Sequence, residues 1–127
     1  VGADASVNQD GEAIIAMLFA SVDGISKVGS YSGNFSGLTV TTGFSPRFIL
    51  VKRTDSSGNW LVYDTLRDLT ASGTIVKQLN LDRNNAQTSG SGSFWDINSS
   101  STGFTAPGGN VSYANNSSGS YIYYAHA

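Results

Sequence analysis

The sequence predicts an all-β fold, an antiparallel β-sandwich or jelly-roll-like module with short strands and long polar loops. Three observations lead there. Short runs rich in β-branched and aromatic residues are separated by Gly, Asn, Asp and Ser turn signals at intervals of about ten residues. Charged residues make up only 13% of the chain, so its polar character comes from Ser, Thr, Asn and Gly, as suits many tight turns. Aromatic residues make up 11%, which with abundant Val, Ile and Thr argues against disorder. A length of 127 residues fits one domain that can bury a core without disulfides, and the chain has no cysteine.

In chain order, an Asp10-Gly11 turn precedes an apolar run over residues 13–20, which stops before Asp23-Gly24. Periodicity alone does not separate a buried strand from a short helix here. The C-terminus decides for a strand. Asn116, Gly119 and Ile122 repeat the layout of Asn8, Gly11 and Ile14, and the run Tyr121-Ile122-Tyr123-Tyr124 is strongly strand-forming. The two segments are about one domain length apart, so residues 1–22 are expected to be the closing strand of a preceding repeat or an N-terminal arm, and 23–127 the sandwich domain. Residues 29–34, around Tyr31, read as turn. Leu38-Thr39-Val40-Thr41 alternates as a half-buried strand does, and Gly43-Phe44-Ser45-Pro46 ends it.

The run Phe48-Ile49-Leu50-Val51 is apolar on both faces and predicts a central strand. A turn over residues 55–59 returns it as Trp60-Leu61-Val62-Tyr63, a hairpin. Residues 65–73 predict a loop or a short helical turn. Residues 74–81 fit a strand or a helical turn, and 82–93 a long polar loop. Phe94-Trp95-Asp96-Ile97 reads as a short strand. Thr102-Gly103-Phe104 echoes Thr42-Gly43-Phe44, and Val111-Ser112-Tyr113 follows a further turn.

Composition also narrows function. The net charge is −2 and the basic residues are scattered, unlike the basic patch of a nucleic-acid binder. No apolar run approaches the length needed to cross a membrane as a helix, so membrane insertion is not expected. Catalysis needs clustered titratable groups, and the single histidine, His126, has no acid near it in sequence. No catalytic residue, metal site or cofactor is therefore expected. The stretches 8–12 and 55–59 superficially look like calcium loops, but they lack the acidic spacing and read as turns. Glycosylation sequons, among them those at Asn34, Asn98, Asn110 and Asn116, mark exposed loops.

One constellation draws notice. A hairpin would bring Lys52 and Arg53 near Trp60 and Tyr63, with Asp64 and Arg67 beyond. It reads either as a structural ion-pair network, with Asp64 accepting from Arg67 or Lys52, or as a sugar platform of aromatic faces with polar neighbours. Trp95, Tyr113, Tyr121, Tyr123 and Tyr124 are further candidates for such a platform, though some of them must be core.

Several of these residues together resemble a known family. Gly43-Phe44-Ser45-Pro46, the strand ending Lys52-Arg53-Thr54-Asp55, then Trp60, Asp64 and Arg67, Gly103-Phe104, and the closing Asn116, Gly119 and Tyr121-Ile122-Tyr123-Tyr124 are similar in order to an uncharacterised domain. That domain recurs in tail-fibre and tail-tip proteins of marine and cyanobacterial phages. The resemblance spans roughly residues 13–127 and implies context rather than mechanism: a non-enzymatic virion module outside the cell. It implies attachment to a host cell-surface glycan or receptor, or else a purely structural role in self-assembly. It also implies a homo-oligomer, such as the trimer common in tail fibres, or contact with neighbouring repeats.

Overall fold

The computed structural model describes residues 4–68, 74–75, 77–89, 97–106, 108 and 113–127. Among the described residues, ten strands carry the fold: β1 (Ser26–Ser32), β2 (Leu38–Thr41), β3 (Phe48–Arg53), β4 (Trp60–Asp64), β5 (Thr74–Ile75), β6 (Lys77–Asn80), β7 (Thr88–Ser89), β8 (Ile97–Ser100), β9 (Gly103–Ala106) and β10 (Ser120–His126). Two single-turn helices, α1 (Ala5–Asn8) and α2 (Thr65–Asp68), complete it.

The strands form two antiparallel sheets. The long sheet runs β1-β10-β3-β4-β6-β7 and the short one β2-β9-β8-β5. The predicted all-β sandwich is what the chain builds. The first strand pairs with the last and the second with the second-last, a nested wrap that sews the termini into the fold. The hairpin of β3 and β4 then extends the long sheet locally, with Lys52 opposite Trp60 and Phe48 opposite Asp64.

Alternation along the strands sets the core. Ile49 and Val51 of β3, Leu61 and Tyr63 of β4, and Tyr121, Tyr123 and Ala125 of β10 turn inward, against Val40 of β2, Ile97 of β8 and Phe104 of β9. Aromatic rings bridge the sheets. Phe104, with no exposed surface, meets Tyr123 edge-on at 5.5 Å and Tyr31 at 6.4 Å. Tyr31 also stacks on Tyr121 at 5.0 Å. The phenol of Tyr31 donates to the Ala114 carbonyl at 2.6 Å, and that of Tyr63 donates to Gln78 at 3.0 Å, so buried hydroxyls keep partners. Burial pushes the Tyr31 phenol well above the ordinary tyrosine range, helped by the neighbouring Tyr63 and Tyr121.

Two local expectations are corrected. Residues 29–34 do not form a turn: Ser26–Ser32 is a full strand opposite β10. Gly29 is there because Tyr123 lies on its backbone; a Cβ at this position would stand 2.7 Å from the Tyr123 ring. Residues 13–20, in turn, form no strand. Their counterpart β10 is paired on both sides, by β1 and β3. The tight turn at Val22–Ser26, with Gly24 at φ +69°, sends the preceding chain back over the sheet instead of alongside β1. The Ser21 hydroxyl takes the Val28 N–H at 3.0 Å, and the Ser26 hydroxyl donates to the Ala20 carbonyl at 2.8 Å. Side chains thus cap the junction where a further strand would have paired.

Other expectations match the structure. Residues 65–68 make a helical turn, and residues 74–75 and 77–80 are extended, as β5 in one sheet and β6 in the other. The echoing segments lie side by side, with the N–H groups of Thr42 and Gly43 both donating to the Thr102 carbonyl. Phe94, Trp95, Asp96, Val111 and Ser112 lie outside the described residues.

Candidate functional site

The residues singled out in the hairpin divide between the two faces of the long sheet. Tyr63 is 2% exposed and belongs to the core, so it shares no platform with Trp60, three positions earlier on the opposite face. Arg53 faces Tyr121 across the pair with β10, while its neighbour Lys52 stands on the outer side between Ile122 and Trp60. Trp95 lies outside the described residues.

The expected pairing of Asp64 with Arg67 or Lys52 is replaced by other partners. Asp64 lies at 3.7 Å from Arg47, and its carboxylate accepts the Leu66 N–H at 2.8 Å, capping the short helix α2. Arg67 donates to Gln87. Lys52 folds back to donate to the Gly58 carbonyl at 2.5 Å. Arg53 grips Asp55 through two hydrogen bonds of 2.8 and 3.1 Å, and Asp55 also accepts the Ser120 N–H at 3.1 Å. These charges tie the hairpin turn to the start of β10 and cap α2. They are not gathered around an open site.

The Arg53 guanidinium, followed by the Ser120 N–H, holds the Asp55 carboxyl well below the usual carboxylate range. A folded-state value below the unfolded one means that the stabilisation is present above the ordinary carboxylate pKa of about 3.9. It is lost as the pH falls from there through the folded value. Asp55→Asn is therefore expected to lower the urea midpoint at pH 7, with the gap from the parent shrinking below about pH 4. A gap that stayed constant down to pH 2 would contradict this role. Both side chains are well hydrated, so the effect is small.

The open feature is the outer face of the long sheet. Register places Val28 beside Tyr124, Tyr124 beside Leu50, Leu50 beside Val62, and Lys52 beside Trp60. Most of these side chains are apolar, on the face turned away from the core. The arm crosses this face. Phe19 lies on Tyr124 with ring centroids 4.5 Å apart, and Met17 sits nearby. Arm and sheet together enclose a hollow of about 420 Å³, lined chiefly by Met17, Phe19, Leu50, Trp60, Ile122 and Tyr124. A second hollow of about 330 Å³ continues past Met17 and Phe19 toward Leu81 and Asp82. Of the predicted site residues, Trp60 lines both.

Chemically, this surface offers apolar contact and an aromatic edge. It has no triad of titratable groups. Among the described residues no three His, Asp or Glu side chains converge as metal ligands would. His126 sits exposed at the end of β10, near the Tyr124 ring at 6.3 Å and with its own ring nitrogen 2.8 Å from the Ala127 carbonyl. No helix among the described residues is long and apolar enough to cross a membrane.

Sequence reasoning named Trp60 and Tyr124 but missed Met17, Phe19, Leu50 and Ile122, which complete the surface around them. The signal was present in Phe48-Ile49-Leu50-Val51, apolar on both faces. A two-sheet sandwich covers only one of those faces.

Fold and surface together define a β-sandwich module whose conspicuous feature is an apolar contact face. The chain matches a domain of unknown function, DUF7483, over residues 1–127, and it belongs to that family. No curated protein and no solved structure matches it.

Proposed function

We propose that this chain is a non-enzymatic attachment module of a phage tail-fibre-like protein, working by contact across the outer face of its long sheet. The observation that carries the reading is the hollow bounded by Trp60, Tyr124 and Leu50. Soluble domains rarely leave a contiguous apolar face uncovered unless something binds there. Aromatic faces of this kind stack on the apolar C–H faces of sugars and on apolar receptor side chains. The sequence resemblance to phage tail proteins supplies the setting: the virion tail, outside the cell, facing a host-surface glycan or receptor.

A glycan array, followed by titration of any hit, tests the reading. The parent chain is expected to bind, and Trp60→Ala to weaken binding at least tenfold. Because the contact is apolar, binding should change little between low and high salt. Undiminished binding by Trp60→Ala would remove this face as the site.

A second reading, a structural domain that assembles through the same face, is favoured by the lining itself. Sugar sites present converging polar groups to hydroxyls, and no charged side chain lines the larger hollow.

A further inference from the structure

The arm carries an unmet requirement. Ile15 is 93% exposed, Leu18 94% and Met17 71%, with Ile14 and Phe19 about half exposed. Among the described residues, none of the N–H groups from residue 13 to residue 21 donates a backbone hydrogen bond. The stretch has no charge between Glu12 and Asp23. An uncharged, β-branched, unpaired segment this exposed invites association. Met17 and Phe19 line the hollow, whereas Ile15 and Leu18, both over 90% exposed, do not and leave it unfilled.

We propose that two copies of this chain associate back to back through the outer faces of their long sheets, with Leu18 and Ile15 of each arm seated in the other copy's hollow. This inference rests on the reading of that face as the working surface and names its partner.

Two arguments commit the site to a second copy. The first is self-complementarity. A two-fold axis needs one patch that fits itself, and here an apolar projection lies directly beside an apolar hollow on the same face. The volume of about 420 Å³ is ample for a leucine and an isoleucine side chain. Neither residues 13–22 of the arm nor the larger hollow carries a charge that would be buried unpaired.

The second is area. A large aliphatic side chain removes on the order of 100 Å² from water when buried. Ile15, Met17 and Leu18, with the open halves of Ile14 and Phe19, amount to roughly 300–400 Å² per arm. With the smaller open lining of the hollow covered on each chain, two arms and two hollows reach roughly 850–1,050 Å² in total, the size of weak, reversible interfaces. An interface without the arms would fall well short.

Sedimentation velocity on the full chain, from about 1 to 200 µM, tests this. The parent is expected to shift from monomer to dimer within that range. Ile15→Ser combined with Leu18→Ser is expected to weaken dimerisation at least tenfold. Both side chains are over 90% exposed in the monomer, so its fold should survive, as near-ultraviolet circular dichroism checks. If the double variant loses its fold, the single Leu18→Gln must show the weakened dimer. A parent that stays monomeric throughout, or arm variants that dimerise as the parent does, overturns the proposal. A trimer or higher assembly overturns the two-fold arrangement. A monomer that still binds a glycan through Trp60 ends this inference alone. A dimer in which no glycan or receptor binding depends on Trp60 ends the attachment reading alone.

Discussion

Phe104→Ala is expected to cost about 3–5 kcal/mol, one of the largest losses that any single side chain of this fold can produce. Phe104 stands on β9 of the short sheet and has no exposed surface. It touches Tyr123 and Tyr31, both on the long sheet, so it bridges the two layers. Truncation removes the ring's burial and two edge-on aromatic contacts, and leaves a cavity between sheets that β-ladders hold at fixed spacing. The expected drop in thermal midpoint is roughly 10–20 °C for a domain of this size. Leu66→Ala, at a side chain 73% exposed, serves as the control; it should stay within about 0.5 kcal/mol of the parent. Urea unfolding followed by fluorescence checks both. A loss below about 1 kcal/mol for Phe104→Ala would mean that the sheets are not clamped there.

Gly103→Ala is the second large effect, and it acts through the backbone. Gly103 opens β9 opposite Thr41, and a Cβ at this position would stand 2.1 Å from the Val40 carbonyl oxygen. No rotamer relieves a contact between a Cβ and a backbone oxygen. The strands β2 and β9 must part, and their nested pairing frays from that end. A cost of about 3 kcal/mol is expected, typical of severe overpacking. Amide exchange would locate it: faster exchange at the Thr42 and Gly43 N–H groups, which donate to the Thr102 carbonyl. Exchange accelerated only in β3 and β4 would contradict the assignment.

Much of this fold is legible locally. Leu38–Thr41 alternates apolar with polar, and residues 48–51 and 60–63 are short apolar runs on either side of a turn; each pattern marks a strand. Two elements were not legible because their determinants lie far away in sequence. Ser26–Ser32 looks like a turn because of Gly29 and Ser30, and only the Tyr123 ring, about ninety residues on, explains the glycine. Residues 13–20 have the composition of a strand, but the turn at Val22–Ser26 carries them over the face of the sheet and not along the outer edge of β1.

The site was legible in part. Trp60 and Tyr63 are three apart and Lys52 and Arg53 one apart, so strand alternation alone separates each pair onto opposite faces. Reading the hairpin as one cluster overlooked that geometry. Which carboxylate meets which cation follows instead from the register of Phe48 against Asp64, which brings Arg47 to Asp64. A face built from β1, β10, β3, β4 and a returning arm has no local signature in any one of them.

The central claim is that the outer face of the long sheet is the working surface. Hydroxyl-radical footprinting of the full chain tests it most directly, with Met17, Trp60 and Tyr124 reporting on the face and Tyr113, which lines neither hollow, as the reference. The comparison is between dilute protein and protein held in its bound or self-associated state. The account predicts strong protection at Met17, Trp60 and Tyr124, with Tyr113 unchanged. Unaltered labelling of the three face residues in a demonstrably bound or associated sample would contradict it.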